Sequence, residues 1–258
     1  MRNKLDCFNW LSLLIKQPQF ADKFDWGKLD SYDWDGFEEE SWADLLEEQP
    51  QFADKCNWDS LKGYGWSNLL AKQPQFADKC DKWDEFDSTD FASLISYQPQ
   101  FAVRCNKWDE FGGFDWSYLL LGQPQFADKC DKWDKFDSFD WCCLLAKQPQ
   151  FADKCDKWDK FRGWEWFDLL VEQPQFSDKC KNWNLTVNNW NTLLETQPQL
   201  IEKCNKSTVL VDFLLKQPKW IDKCNTNVIT EKGKAKLLAK HPDLAKYFPE
   251  AVKKVDNN

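Results

Sequence analysis

The chain has 258 residues, with 34 Lys plus Arg against 43 Asp plus Glu and a formal net charge of −9. An acidic chain with no basic block excludes a groove that tracks nucleic-acid phosphates, since that affinity comes mainly from Lys and Arg. No stretch approaches the ~20 apolar residues of a membrane span, and the first ten residues lack the apolar run of a secretory signal.

Taken in order, the chain is ten variations on one phrase. The octapeptide Gln-Pro-Gln-Phe-Ala-Asp-Lys-Cys stands unaltered at 49–56, 73–80, 123–130 and 148–155. Altered copies begin at Gln17, Gln98, Gln173, Gln197, Gln217 and His241. Their prolines, from Pro18 through Pro50, Pro74, Pro99, Pro124, Pro149, Pro174, Pro198 and Pro218 to Pro242, are separated by 32, 24, 25, 25, 25, 25, 24, 20 and 24 residues. A fixed period of this size marks a stacked repeat array, in which each unit needs its neighbours to cover its apolar faces.

Within a unit, Trp116, Leu119 and Leu120 share one helical face at i, i+3, i+4. Asp115 before them is the expected N-cap, with Phe114 at N′ packing on Leu119 as a hydrophobic staple. Tyr32-Asp33-Trp34, Phe139-Asp140-Trp141 and Trp164-Glu165-Trp166 repeat the pattern. The proline ends this helix and opens a second short one, whose Phe126, Ala127 and Cys130 form its inner face. Asp131 then caps a helical or 3-10 turn that pairs Trp133 with Phe136. The same turn recurs at Trp83/Phe86, Trp108/Phe111 and Trp158/Phe161.

Both ends depart from the period. Residues 1–48 read as a modified N-terminal cap with an acidic insert (Asp30, Asp33, Asp35, Glu38, Glu39, Glu40). Residues 225–258 read as a Lys-rich C-terminal cap (Lys232, Lys234, Lys236, Lys240, Lys246, Lys253, Lys254). Between Cys204 and Phe213 the Trp–Phe turn is missing, which gives the spacing of 20.

Eight of the eleven cysteines occupy the same slot, six residues after the proline, and Phe24 and Phe248 hold it in the first and last copies. A slot that takes Phe or Cys is a packing position, and there is no Cys-x-x-Cys pair to bind a metal. Cys142-Cys143 reads as a permissive position rather than a reactive pair. Thiols of this kind suit a reducing, cytoplasmic setting. His241 is the lone histidine and sits in a Gln slot, so general acid–base chemistry has no obvious agent. Acidic residues that recur once per unit serve the stack rather than one active site. The sequence therefore points to no enzyme, no metal and no cofactor.

The phrase Asp-Trp-x-x-Leu-Leu-x-x-Gln-Pro-Gln-Phe-Ala-Asp-Lys-Cys resembles tandem repeats of ~25 residues in uncharacterised bacterial proteins, over Trp10 to Cys224. That resemblance implies a repeat architecture and brings no activity with it. The chain as a whole is expected to be all-α, a single right-handed α-solenoid of about ten short helix-pair repeats. Variable residues on an invariant frame are where a solenoid places partner contacts. In these repeats they follow the helix-start Trp or precede the Gln-Pro, and in the middle units they are Tyr97, Tyr118, Leu121 and Phe167. The expected function is a protein-interaction scaffold, with no nucleic-acid or membrane partner. A carbohydrate-binding module using exposed Trp and a structural protein that self-associates head to tail are the alternatives.

Overall fold

A computed structural model describes residues 7–26 and 40–249. The chain is all-α, with no strand among the described residues, and its short helices follow one another as the stacked repeats of an α-solenoid. It divides into two compact units, Met1–Phe136 and Asp137–Asn258. The first holds α1 (Cys7–Lys16), α2 (Glu40–Glu48), α3 (Gly63–Lys72), α4 (Ser88–Tyr97) and α5 (Gly113–Gly122). The second holds α6 (Ser138–Lys147), α7 (Gly163–Glu172), α8 (Val187–Thr196), α9 (Ser207–Lys216) and α10 (Glu231–Lys240). The acidic insert over 27–39 and the last lysines, Lys253 and Lys254, lie outside the described residues.

Each α-helix is followed by a short 3-10 helix that begins at the proline, as in Pro74–Lys79 and Pro124–Lys129. The second helix of the pair is thus 3-10, not α, and at most six residues long. Such tight coils are used in short pieces because their hydrogen-bond geometry is poorer. Proline suits the first position, where its missing N–H costs no bond.

The α-helices start earlier than the sequence suggests. In α5, Gly112 is the N-cap and Asp115 stands at N3, where its Oδ2 accepts the Gly112 N–H at 2.9 Å. In α4 and α6 the box is reciprocal: Asp87 and Asp137 cap with their carboxylates, while Asp90 and Asp140 accept the cap N–H groups at 3.2 and 3.0 Å. Asp115 is therefore not the cap, and Phe114 is no staple but an exposed residue at N2. The Trp–Phe turn forms, but Lys132 starts it and no side chain caps it, so the role expected of Asp131 is not filled. Lys132 Nζ instead donates to the Asp109 carbonyl of the preceding repeat.

The core is a seam of the helix-start aromatics, the paired leucines and the Phe of the turn. Trp66, Phe91, Leu69, Leu94 and Phe86 are sealed in the first unit; Trp141, Trp166, Trp190, Leu144 and Leu169 are sealed in the second. Full burial of such side chains is worth about 1.5–3 kcal/mol each. The Cys slot lies at the edge of this seam. Cys80, Cys130, Cys155, Cys180 and Cys204 are buried, Cys56, Cys105 and Cys224 are half-buried, and Phe24 and Phe248 fill the same place. Burial pushes the thiols of Cys80, Cys105, Cys130, Cys155, Cys180 and Cys204 up to about 11.

The Gln-Pro-Gln phrase has a specific task. The first Gln reaches back to a C-terminal carbonyl of the preceding α-helix, one of the last-turn acceptors with no intrahelical donor. Gln49 Nε2 donates to Ile15 O at 2.5 Å, Gln73 to Glu47 O at 2.6 Å, Gln98 to Ala71 O at 2.7 Å and Gln123 to Ser96 O at 2.8 Å. In the second unit, Gln173 and Gln197 donate to Ala146 O and Val171 O at 2.8 and 3.1 Å. His241 takes the same place, with Nε2 3.2 Å from Leu215 O. The second Gln steadies the first: Gln75, Gln100 and Gln125 Nε2 donate to the Oε1 of Gln73, Gln98 and Gln123 at 2.7, 3.0 and 2.7 Å.

The position after the helix-start Trp is less free than it looks. Ser67, Ala92, Ser117 and Cys142 are all buried there. Small side chains at this point let the next helix come close. Cys142 is accordingly not a permissive site: its Sγ donates to Glu165 O at 3.2 Å, and burial pushes the thiol up to about 12. Gly63, Gly122 and Gly163 mark close approaches, where a Cβ would stand 2.7 Å from Glu85 O, 2.8 Å from Ser96 O and 2.7 Å from Asn184 O.

A candidate binding surface at the helix starts

The second helical position, N2, sets the outer row of each helix start. In α4 to α7 the N3 carboxylate turns inward to the cap and the neighbouring N2 side chain lies outside it; α3 has Gly65 at N3 and no such box, yet Tyr64 at its N2 is exposed as well. Tyr64 in α3 and Phe114 in α5 are 58% and 57% exposed, whereas the rings two positions on or at the matching place in α4, Trp66, Trp116 and Phe91, are almost wholly buried. Thr89 of α4 holds the same slot between them, and its hydroxyl donates to Asp115 Oδ1 at 2.9 Å. With a threonine where both neighbours carry a ring, the row is interrupted and a groove of about 230 Å³ opens over α4.

Tyr64 and Asn68 of α3 line one side of this groove, and Phe114 and Tyr118 of α5 the other. Its floor is α4: Thr89, Ala92 and Ser93, with Asp90 and Ser67 beneath. Phe114 and Tyr118, one helical turn apart, stack with centroids 6.1 Å apart. Asp90 is 8% exposed and has Ser67 Oγ at 3.3 Å from its Oδ1. Burial pushes its carboxyl above the ordinary value, and the Asp87 amide and the Ser67 hydroxyl only partly offset this.

Of the residues that the sequence marks for partner contact, two meet. Tyr97, 62% exposed at the end of α4, lies with its hydroxyl 3.3 Å from that of Tyr118. Tyr118 is half-buried, so one of its edges belongs to the groove and the other to Tyr97. Leu121 is half-buried near the end of α5, outside the groove lining. Phe167, in the second unit, is half-buried at the position taken by smaller residues elsewhere.

The second unit carries its own N2 pair. Phe139 of α6 and Trp164 of α7 are exposed, and their rings meet at 5.9 Å, leaving no gap like that at Thr89. Arg162 covers Trp164 with its guanidinium 4.9 Å from the ring. Its Nη2 also donates to Glu165 Oε1 at 2.9 Å, which Ser138 Oγ approaches at 2.9 Å. Burial would raise the Glu165 carboxyl, but the Arg162 side chain, the Arg162 amide and Ser138 together hold it below its usual range.

The N2 residues were concealed in the sequence by placing the helix start at Asp115. The spacing Asp87-Ser-Thr-Asp90 and Asp137-Ser-Phe-Asp140 is the signal that would have moved the start and exposed the row. Among the described residues, no group of three or more His, Cys, Asp or Glu is placed to hold a metal ion, and no helix is long and apolar enough to cross a membrane. No protein-family model, curated protein or solved structure matches the chain.

Proposed function

We propose that the protein is a non-enzymatic interaction scaffold that binds a protein partner along the aromatic row at its helix starts, with Tyr97 and Tyr118 at the margin. The observation that carries this reading is the exposure of Tyr64 and Phe114 at the same repeated helix-start position. Rings held on rigid helix ends offer large contact area at low entropic cost, the character of interface anchors. The conserved part of each repeat is spent on packing and on the Gln ladder, which leaves the N2 and neighbouring positions free to differ from unit to unit.

The test is capture of a partner from the native cell by the wild-type chain and by two double variants, Tyr64→Ala/Phe114→Ala and Phe139→Ala/Trp164→Ala. These side chains are exposed, so each pair is expected to keep its melting temperature within a few degrees. Loss of capture with an intact fold supports the reading. Capture unaffected by both pairs overturns it.

A further inference from the structure

We infer that the groove over α4 is a pocket for a single arginine side chain of the bound partner, a specificity site within the surface proposed above and resting on that proposal. Size, wall chemistry and charge agree. About 230 Å³ is below the range of pockets for drug-sized molecules and suits one long side chain. The sides are aromatic, from Tyr64, Phe114 and Tyr118, and the floor is made of small residues that allow deep entry. A guanidinium is planar, weakly hydrated and attracted to ring faces, which distinguishes it from an ammonium at such a site.

The charge of the region selects a cation. Neither α4 (STDFASLISY) nor α5 (GFDWSYLLLG) contains a basic residue. Lys72 of α3 is at its far end and engaged with Glu47 at 2.5 Å, and Lys62, the N-cap residue of α3, is the one basic residue among these three helix starts, against the carboxylates of Asp87, Asp90 and Asp115. The start of an α-helix carries partial positive charge that would favour an anion. At α4 and α5 that charge is already met by Asp90 and Asp115, each of which accepts its cap N–H. What remains at the floor is a carboxylate with little solvent. Such a group gains from an incoming guanidinium, which supplies both charge and N–H donors.

The row itself shows why the groove opens at α4. Where consecutive N2 residues are both aromatic, as at Phe139 and Trp164, the rings close on each other. Thr89, between Tyr64 and Phe114, keeps the space open, and its hydroxyl is turned toward Asp115. A bulkier residue at 89, of the kind found in other repeats, fills the pocket without touching the core.

The experiment titrates the full chain with Nα-acetyl-arginine amide and, separately, with the uncharged isostere Nα-acetyl-citrulline amide, following the Thr89 and Ala92 methyl resonances. Saturable shifts in the millimolar range are expected for the arginine probe, with at least fivefold weaker binding of the citrulline probe. Thr89→Phe is expected to abolish the arginine shifts at Ala92 while the melting temperature is retained, and Asp90→Asn to weaken binding severalfold. Equal binding of the two probes, absence of saturable shifts, or arginine binding that survives Thr89→Phe overturns the inference. Failure here with intact Tyr64/Phe114-dependent capture removes the pocket and leaves the scaffold. Arginine binding with no aromatic-dependent capture removes the scaffold reading and leaves a free-standing pocket.

Discussion

The helices α3 to α5 and the helices α7 to α9 are built from the same phrase and pack differently. In the first set, Ser67, Ala92 and Ser117 are small and buried, and consecutive helices pack along their lengths. In the second, the corresponding places are held by half-buried Phe167 and exposed Asn191, and consecutive helices share less of their lengths. Between α8 and α9 the Trp–Phe turn is missing and the proline spacing falls to 20. Among the described residues no bond from Gln217 to the preceding helix is found, and a groove of about 360 Å³ lined by Asn191, Glu195, Asp212 and Gln217 opens there. The contrast separates two requirements. The Leu-Leu and Trp pattern is enough to bury a core, whereas close stacking also needs a small residue after the Trp and the full length of the joint.

The largest effect that sharpens this contrast comes from removing a core ring on each side of it. Trp116→Ala is expected to cost ~3–5 kcal/mol, and Trp190→Ala less, because a loosely stacked helix can relax into the cavity. Denaturant unfolding checks both, and equal costs would break the comparison. Trp116→Phe should cost only about 1 kcal/mol. Its indole nitrogen is buried without an acceptor among the described residues, and Phe91 fills the same slot in α4.

Gly63→Ala comes next. Its Cβ would press on the Glu85 carbonyl at 2.7 Å, so a loss of ~1–3 kcal/mol is expected in thermal unfolding. The ladder gives a matched pair. Gln98→Ala leaves the Ala71 carbonyl without its donor and should cost ~1–2 kcal/mol. Gln217→Ala should stay within ~0.5 kcal/mol, having no such bond to lose.

The buried thiols predict a pH dependence. Their folded values of about 11 stand above the 9.0 of the free group, so between these limits the folded chain keeps protons that the unfolded chain releases. Stability is then complete below pH 9 and falls as pH rises toward 11, which a series of melting curves measures. The smallest expected change is a gain. Gly112→Asp supplies the carboxylate that Asp87 and Asp137 use at the same position, for about 0.3 kcal/mol.

The period, the alternation of α-helix and Pro-led coil, and the packing role of Trp and Cys were legible in the sequence because each recurs many times at fixed spacing. The start of each helix was not, since Asp115 suits both N-cap and N3, and only its bond to the Gly112 amide decides between them. That error of three residues concealed the N2 row. The variable positions were legible as variable, but not as two kinds. Variation among Ser, Ala and Cys after the Trp reflects a limit on size, while Tyr97 and Tyr118 vary because they face outward. The groove was beyond reach, because it arises from a threonine flanked by rings on two neighbouring helices.

Gln49, Gln73, Gln98, Gln123, Gln173 and Gln197 each reach toward the helix already behind them. A repeat leaving the ribosome therefore has a last turn with an open acceptor until the next Gln-Pro emerges and closes it. Growth of the chain becomes a zipper with one tooth always unfastened, and a pause in translation just before a Gln-Pro would hold that tooth open longest.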